Sequence, residues 1–223
     1  MRRNNAGPVF RTHTLIRPAT ENQRAFVKNI KRNTITIADG VPGCGKTLLA
    51  LHTAITMINA PENELERIIY VRPNVGVKDE RDVGYLKGSL LEKIWPLAAP
   101  VLDNLITFMS EGDAKAAIEN EHIIPTVVSL IRGRSFRNSL IIVDEAQNIS
   151  INGLKAVLTR VAENSKVVVI GDLGQADLGE LSAPNGLADA LHRFVGLDDV
   201  AITRFEPEDI QRHRIIQHVL SRY

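Results

Sequence analysis

The sequence predicts an α/β fold in which a parallel β-sheet is flanked by helices. Five short apolar runs, most of them rich in β-branched residues, read as strands at 34–38, 68–71, 140–143, 166–170 and 200–205. Segments between them carry apolar residues at helical spacing. Apolar strands that alternate with helices are typical of parallel sheets covered on both faces. The composition, 44% apolar and 24% charged, is that of an ordinary globular chain.

The predicted elements follow in chain order. Thr20 is a candidate N-cap for the first helix, and a second helix over 48–58 follows a glycine-rich turn. After the third strand we expect a helix over 153–162, and after the fifth a closing helix over 208–221. These elements fit one layered α/β core.

No strand is predicted between the second and third apolar runs. Leu86, Leu90, Ile94 and Leu97 recur there at helical spacing, and Pro96 is expected to break or kink that helix. A second apolar stripe starts at Val101. We therefore expect a helical insertion at about 74–130, within one domain over 18–223 that follows a flexible N-terminal arm over 1–17.

Charge, cysteine content and the length of the apolar runs indicate which partners and which location to expect. The net charge of +1 gives no global reason to expect nucleic acid, and the single cysteine, Cys44, excludes an internal disulfide. No apolar run approaches the ~20 residues of a membrane span, and the polar start lacks the apolar stretch of a secretory signal. We expect a cytoplasmic protein that does not bind membranes.

The turn after the first strand carries a phosphate-binding motif. Residues 40–47 (GVPGCGKT) fit G-x-x-x-x-G-K-[ST], with a strand before and a helix after. The glycines let backbone N–H groups wrap an anion, and the helix start adds further N–H groups and a partial positive charge. Lys46 would reach the β- and γ-phosphates, and Thr47 would ligate Mg²⁺. A chance glycine-rich turn is the alternative. Cys44 fills a free position, as a small packing residue rather than a redox group.

Two acids end the third predicted strand. Asp144 can hold Mg²⁺ beside the phosphate loop, and Glu145 can orient or deprotonate the attacking water. A solvated strand cap is the alternative. At the end of the fourth strand, we favour Gln175 over Asp172 as the contact to the γ-phosphate. The alternative is that this strand end is only an Asx turn. Gln23 can read the adenine edge, or it can be an ordinary surface glutamine.

Nine motifs in this order resemble PhoH-like proteins, from about Pro18 to the C-terminus. They are 40–47, Arg72-Pro73, 84–88, 131–134, 144–148 (DEAQN), 158–160, Gly171-Asp172 with Gln175 and Asp177-Leu178, 185–187, and Asp209 with Arg212-His213. The charged residues around 72–88 are similar to the versions in tailed bacteriophages, which would place the protein in the host cytoplasm. The sequence departs from the family pattern at Asn185, where serine is usual, and at Lys87, where proline is common.

The resemblance implies a single RecA-like P-loop NTPase core related to superfamily 1 helicases. It implies ATP and Mg²⁺ as cofactors, RNA binding or unwinding, and a homohexameric ring. It implies that the phosphates, the metal and the attacking water are contacted by Lys46, Thr47, Asp144, Glu145 and Gln175. It also implies that Gln23 contacts adenine. The residues expected around the nucleotide are Gln23, Gly40, Val41, Pro42, Gly43, Cys44, Gly45, Lys46, Thr47 and Leu48.

Phosphoryl transfer needs a cation on the developing charge. We expect no second core domain to supply one, and therefore a neighbouring subunit to do so across a head-to-tail interface. Arg212 is the first candidate, followed by Arg160 and Arg204. An ordinary surface charge is the alternative for each.

Two basic clusters are candidate contacts to nucleic acid phosphates. They are Arg132 with Arg134 and Arg137, and Lys28 with Lys31 and Arg32. Aromatic residues are only 4% of the chain, so no stacking platform is evident, and ion pairs are the alternative. We expect an ATPase acting on a single strand, RNA rather than DNA. A regulatory or protein-remodelling ATPase is the second interpretation, and a small-molecule kinase is disfavoured because no acceptor pocket is recognisable.

Overall fold

In the computed structural model of the chain, residues 9–73, 90–175 and 185–211 are described. The strands of these ranges are β1 (Ile35–Gly40), β2 (Arg67–Arg72), β3 (Ile123–Val127), β4 (Ser139–Val143), β5 (Lys166–Gly171) and β6 (Val200–Phe205). The helices are α1 (Glu21–Arg32), α2 (Lys46–Asn59), α3 (Leu90–Leu105), α4 (Glu111–Glu119), α5 (Ile151–Leu158) and α6 (Gly186–Arg193).

The strands form one sheet in the order β3-β2-β4-β5-β1-β6. Every neighbouring pair is parallel, so the predicted parallel α/β fold is confirmed. Because the strands run the same way, the segments that follow them meet at one edge, the carboxyl edge of the sheet. This edge carries both the turn after β1 and the acids after β4.

Helices cover both faces of the sheet. One apolar cluster joins a sheet face to α1–α4, and a second joins the opposite face to α5 and α6. Successive residues of β2 alternate between them: Ile68 and Tyr70 face the first, and Ile69 and Val71 face the second. All four are fully buried, which is why these strands have apolar residues on both faces.

The prediction of no strand between the second and third runs is wrong. Residues Ile123–Val127 form β3, which pairs with β2 at the edge of the sheet. Pro125 stands in the middle of this run, opposite Tyr70. A proline cannot donate to the ladder and is confined to edge strands or strand ends, so the run does not carry the uninterrupted apolar pattern of a central strand. The predicted helical insertion therefore contains α3 and α4 but ends in a strand.

Of the predicted break or kink at Pro96, the break is wrong. Helix α3 continues from Leu90 through Pro96 to Leu105. Its second half is held by burial, since Val101, Leu102 and Leu105 are at most 7% exposed. Tertiary packing of an apolar face overrides the low helix propensity of proline here.

The N-terminal segment differs from the flexible arm predicted over 1–17. Within it, residues 9–17 pack on the domain: Phe10 is 3% exposed, and its backbone exchanges two hydrogen bonds with the side chain of Asn59 at the end of α2. The backbone N–H of Ile16 donates to His52. The apolar side chains in this segment find a site between α2 and α4, which charge and position along the chain do not reveal.

Further predictions concern the helix caps, the closing helix and membrane-spanning helices. Thr20 is confirmed as the N-cap of α1, and Asn185 caps α6 with its side-chain oxygen, the task a serine also performs. Of the predicted closing helix, residues Pro207–Asp209 form a single 3-10 turn. Arg212, Lys87 and the motif at 84–88 lie outside the described residues. Among the described helices, none combines the length and hydropathy needed to cross a bilayer.

Candidate nucleotide site

The turn between β1 and α2 has the shape that its glycines predict. Gly43 and Gly45 have φ of 89° and 75°, a region that other residues rarely adopt. Gly45 caps α2 without any side-chain hydrogen bond, so the N-cap residue provides no side-chain acceptor for the first N–H groups of α2. These N–H groups and the helix dipole make the turn suited to an anion.

Lys46 lies inside this loop, 9% exposed. Its Nζ donates to the carbonyl oxygens of Gly40 (2.5 Å) and Val41 (2.8 Å). Burial lowers its pKa, while the charges of Asp172 and Asp144 nearby act in the opposite direction. The loop thus holds a cation against its own carbonyls, at the point where phosphate oxygens would need one.

The outer side of the loop is tied to two other segments. Gln23 donates through Nε2 to Cys44 O at 3.0 Å, and Gln211 N donates to Gly43 O at 3.1 Å. The Oε1 of Gln23 accepts from the backbone of Ala19 as part of the α1 cap. Both ends of the Gln23 amide therefore have protein partners, and its contact to adenine stays a prediction.

Cys44 is fully buried in the loop. Burial raises the pKa of its thiol to about 11, although the nearby Lys46 charge opposes the rise. A thiol that stays protonated near neutral pH is a poor nucleophile. The interpretation of Cys44 as a packing residue is the one this environment favours.

Asp144 connects the acidic strand end to the loop. Its Oδ1 accepts from Thr47 Oγ1 at 3.1 Å and from the backbone N–H of Glu145 at 3.2 Å, and its Oδ2 accepts from Tyr70 OH at 2.5 Å. Asp144 is 8% exposed, and burial raises its pKa. Hydroxyl and carboxylate oxygens are the donors that Mg²⁺ prefers, so Thr47 and Asp144 fit the predicted metal.

Glu145 adopts a left-handed backbone conformation, with φ of 56° and ψ of 40°. Its side chain is 41% exposed. Oε2 accepts from Gln147 Nε2 at 2.7 Å, and Oε1 lies 3.8 Å from an Arg72 nitrogen at the end of β2. Strained conformations of this kind recur at active sites. Here two side chains hold the Glu145 carboxylate at the carboxyl edge of the sheet.

The end of β5 forms an Asx turn. Asp172 Oδ1 accepts from Gly174 N at 2.9 Å, and Leu173 N donates to Asp39 Oδ1 at 3.1 Å. At Asp172 the structure therefore has the Asx turn that was the alternative interpretation. Burial raises the pKa of the Asp172 carboxyl. Gln175 is exposed at the end of this turn, and its phosphate contact stays a prediction.

Two side chains of the site were not assigned from the sequence, Tyr70 and Gln147. Gln147 is 1% exposed and bridges two strand ends, since its Oε1 accepts from Asp172 N at 3.1 Å while its Nε2 holds Glu145. Gln147 stands within the DEAQN motif, which was the available signal. Tyr70 stands in an apolar run and gives no such signal.

The candidate arginines lie in different places. Arg160 is engaged locally, with its guanidinium donating to Ala156 O and Arg134 O. Arg204 is exposed on the edge strand β6, near the carboxyl edge where Gly40 pairs with Phe205. For Arg212 the structure provides no position.

The first basic cluster lies away from the phosphate loop. Arg137 precedes β4 and forms an ion pair at 3.7 Å with Glu163, which precedes β5, so both lie at the amino edge. Arg134 is exposed and stacks on Phe136 at 5.0 Å, and Arg132 is exposed. The ion-pair interpretation thus applies to Arg137, while Arg132 has a solvent-facing side chain. Lys28, Lys31 and Arg32 are exposed along α1.

Comparisons with known proteins show which proteins this chain is similar to. The family model described as PhoH-like protein matches residues 15–223. A PhoH-like protein of Mycobacterium leprae (strain TN) is 34% identical over 215 residues, 96% of this chain and 60% of the relative. Protein PhoH of Escherichia coli (strain K12) is 36% identical over 208 residues, 91% of this chain and 56% of the relative. Among solved structures, the Pyrococcus furiosus Hef helicase domain aligns with 85% of this chain and 38% of that chain, at 15% identity and a TM-score of 0.47.

The family match extends over nearly the whole sequence and includes the phosphate loop and the acidic pair. The chain spans about three fifths of the length of the curated relatives it matches. A P-loop of this geometry, in this family, indicates a nucleotide-binding site of the NTPase type. The resemblance inferred from the motifs is confirmed: the chain belongs to the PhoH-like protein family.

Proposed function

We propose that this chain is a Mg²⁺-dependent ATPase whose hydrolysis is coupled to a single nucleic acid strand, RNA in preference to DNA. The coupling to a strand is suggested by the family resemblance and the exposed arginines. The observation that supports the ATPase part of this proposal is the convergence of Lys46, Thr47, Asp144 and Glu145 at one edge of the sheet. They come from the start of α2 and the end of β4, and Thr47 Oγ1 lies 3.1 Å from Asp144 Oδ1. A cation, two metal-ligating oxygens and a carboxylate are the parts that phosphoryl transfer requires.

The loop residues would bind the triphosphate. Backbone N–H groups of 43–47 would donate to phosphate oxygens, and Lys46 Nζ would exchange its two carbonyl partners for phosphate oxygens. Thr47 and Asp144 would hold the Mg²⁺, which would supply charge neutralisation on the phosphate oxygens. Gln23 at the outer side of the loop faces the adenine.

Glu145 would orient the attacking water. Its carboxylate is partly exposed, and Gln147 and Arg72 fix its position, so it can accept a hydrogen bond from a water in line with the γ-phosphate. Gln175, at the exposed turn after β5, contacts the γ-phosphate. Arg212 of a neighbouring copy completes the site in a hexameric ring, where it stabilises the developing charge.

The nucleotide site is tested with a matched pair of lysine variants. Lys46→Ala removes the buried cation, and Lys115→Ala removes an exposed lysine that pairs with Glu111 on α4. We expect Lys46→Ala to lower kcat/KM for ATP by ~10²-fold or more, and Lys115→Ala to leave it unchanged. ATPase assays with purified protein measure both. Equal activity in the Lys46→Ala variant and the wild type would contradict the proposal.

The nucleic acid is tested by stimulation and by salt. We expect single-stranded RNA to raise the ATPase rate more than DNA of the same sequence, and the effect to weaken as salt rises, because phosphate contacts release counterions. Arg132→Ala should reduce both the stimulation and its salt dependence. An ATPase that neither binds nor responds to either strand would instead support a protein-remodelling role.

The shared site is tested by mixing variants. Arg212→Ala should retain ATP binding and lose turnover. In mixed rings, a Lys46→Ala subunit can donate its intact Arg212 to a neighbour with an intact loop, so some activity should return. Mixed assemblies that stay inactive would show that Arg212 does not act across subunits.

A further inference from the structure

Tyr70 is buried in the middle of the domain, yet its hydroxyl reaches the nucleotide site. It stands on β2, which pairs with β4 so that Tyr70 is opposite Ile142, two residues before Asp144. Tyr70 is fully buried, and its OH donates to Asp144 Oδ2 at 2.5 Å. The phenol hydroxyl therefore satisfies one buried oxygen of the Asp144 side chain.

The two oxygens of Asp144 have separate tasks. Oδ2 turns inward to Tyr70, whereas Oδ1 accepts from Thr47 and from the backbone of Glu145. Oδ1 is therefore the oxygen on the side of the phosphate loop. If Oδ2 lost its donor, a buried carboxylate oxygen would be left without a partner, and the carboxylate would have to rotate or take up a proton.

We propose that Tyr70 is a positioning residue that holds the Asp144 carboxylate with Oδ1 directed at Thr47 and the Mg²⁺ of the bound nucleotide. This rests on the proposed function, because it concerns the metal of that site. Tyr70 touches neither substrate nor metal and acts through Asp144. Partners of metal ligands set ligand orientation and basicity, and their loss weakens metal binding.

A purely structural role makes a different prediction. The Tyr70 ring packs in the cluster beneath α1–α4, and Tyr70→Phe keeps this ring while removing the hydroxyl. If packing is all that Tyr70 provides, the variant retains its metal binding. If the hydroxyl positions Asp144, the variant loses metal affinity while its affinity for nucleotide without a divalent ion is unchanged.

Thr36→Val is the matched control. Thr36 lies on β1, is 1% exposed, and its Oγ1 has no hydrogen-bond partner among the described residues. The substitution removes a buried hydroxyl of the same sheet that touches no site residue. It should change neither metal nor nucleotide affinity.

The experiment measures Mn²⁺ binding to the ADP complex of the full chain by electron paramagnetic resonance, with ADP affinity in EDTA as the second readout. Tyr70→Phe should weaken Mn²⁺ binding by ~10-fold and leave ADP affinity in EDTA unchanged. In ATPase assays, its half-maximal Mg²⁺ concentration should rise while saturating Mg²⁺ restores most of the wild-type rate. Thr36→Val should match the wild type in all three.

Two results would overturn the inference, and they are distinguishable. If Tyr70→Phe bound Mn²⁺ with an affinity equal to or higher than that of the wild type, this would show that the hydroxyl does not support the metal ligand. A wild-type protein that binds neither ADP nor Mn²⁺ with ADP would overturn the proposed function, and this inference with it.

Discussion

Gly40, the first residue of the phosphate loop, should not tolerate even a methyl group. Its φ is 148°, and it pairs with Phe205 on the edge strand β6. A Cβ built at Gly40 would lie 2.5 Å from Phe205 O and 2.6 Å from Phe205 Cβ. Since Phe205 O is a backbone atom and the position of Phe205 Cβ is fixed by the backbone, no side-chain rotation can relieve these clashes. We expect Gly40→Ala to lower stability through both strain and overlap.

The magnitude follows from two matched positions. Gly133 has φ of 75° with no atom within 4 Å of its Cβ position, and Gly112, in α4, has open space and no such φ. Gly133→Ala should cost about 1–2 kcal/mol of strain alone, and Gly112→Ala should stabilise by up to about 1 kcal/mol. Overpacking adds about 1–3 kcal/mol, so Gly40→Ala should cost about 2–5 kcal/mol.

Urea unfolding followed by far-UV circular dichroism measures all three variants. For a chain of this size, a loss of 2–5 kcal/mol corresponds to a fall in Tm on the order of 10 °C. The difference between Gly40→Ala and Gly133→Ala isolates the overlap with β6. If these two variants lose the same free energy of unfolding, β1 and β6 are not packed as closely as described and the reasoning fails.

Three further predictions concern other parts of the chain. Phe10→Ala should lower the free energy of unfolding by about 3–5 kcal/mol, measured by urea titration, because Phe10 is buried. Glu145→Gln should keep ATP affinity, measured by fluorescence titration, and lose turnover by ~10²–10⁴-fold. Asp209→Asn tests how the free energy of unfolding depends on pH. Burial alone would raise the pKa of Asp209, but hydrogen bonds from Thr20 and Asn22 hold this pKa below its ordinary value. The stability that ionised Asp209 contributes is therefore complete above the unfolded pKa of about 3.9 and lost as pH falls through the lower folded pKa. Urea titrations from pH 7 to pH 3 should show the wild type losing its advantage over Asp209→Asn only at the acid end.

The clearest strands in the sequence, β4 and β5, have side chains that are buried on both faces of the sheet. An apolar, β-branched run such as 166–170 is too short for a typical helix and too apolar for an exposed loop. β3 was not predicted because Pro125 interrupts its apolar pattern. A break or kink was predicted in α3 at Pro96 because local helix propensity was given more weight than packing. In both places the deciding contacts come from distant residues.

The candidate site divides in the same way. The residues around Lys46 and Asp144 could be predicted because a phosphate loop and an acidic strand end have a fixed spacing relative to their own strands. Tyr70 and Gln147 could not, because their partners depend on which strands are neighbours. Only the placement of β2 beside β4 brings the Tyr70 hydroxyl to Asp144.

The sheet order also fixes the width of the nucleotide cleft. β5 lies between β1 and β4, so the phosphate loop and the acidic pair start from strands two spacings apart, about 10 Å. Main-chain hydrogen bonds of β5 to both neighbours maintain that separation, and side-chain substitutions leave it intact. The central strand β5 thus sets the distance between the two halves of the site, and the surface loops of this chain have no part in that distance.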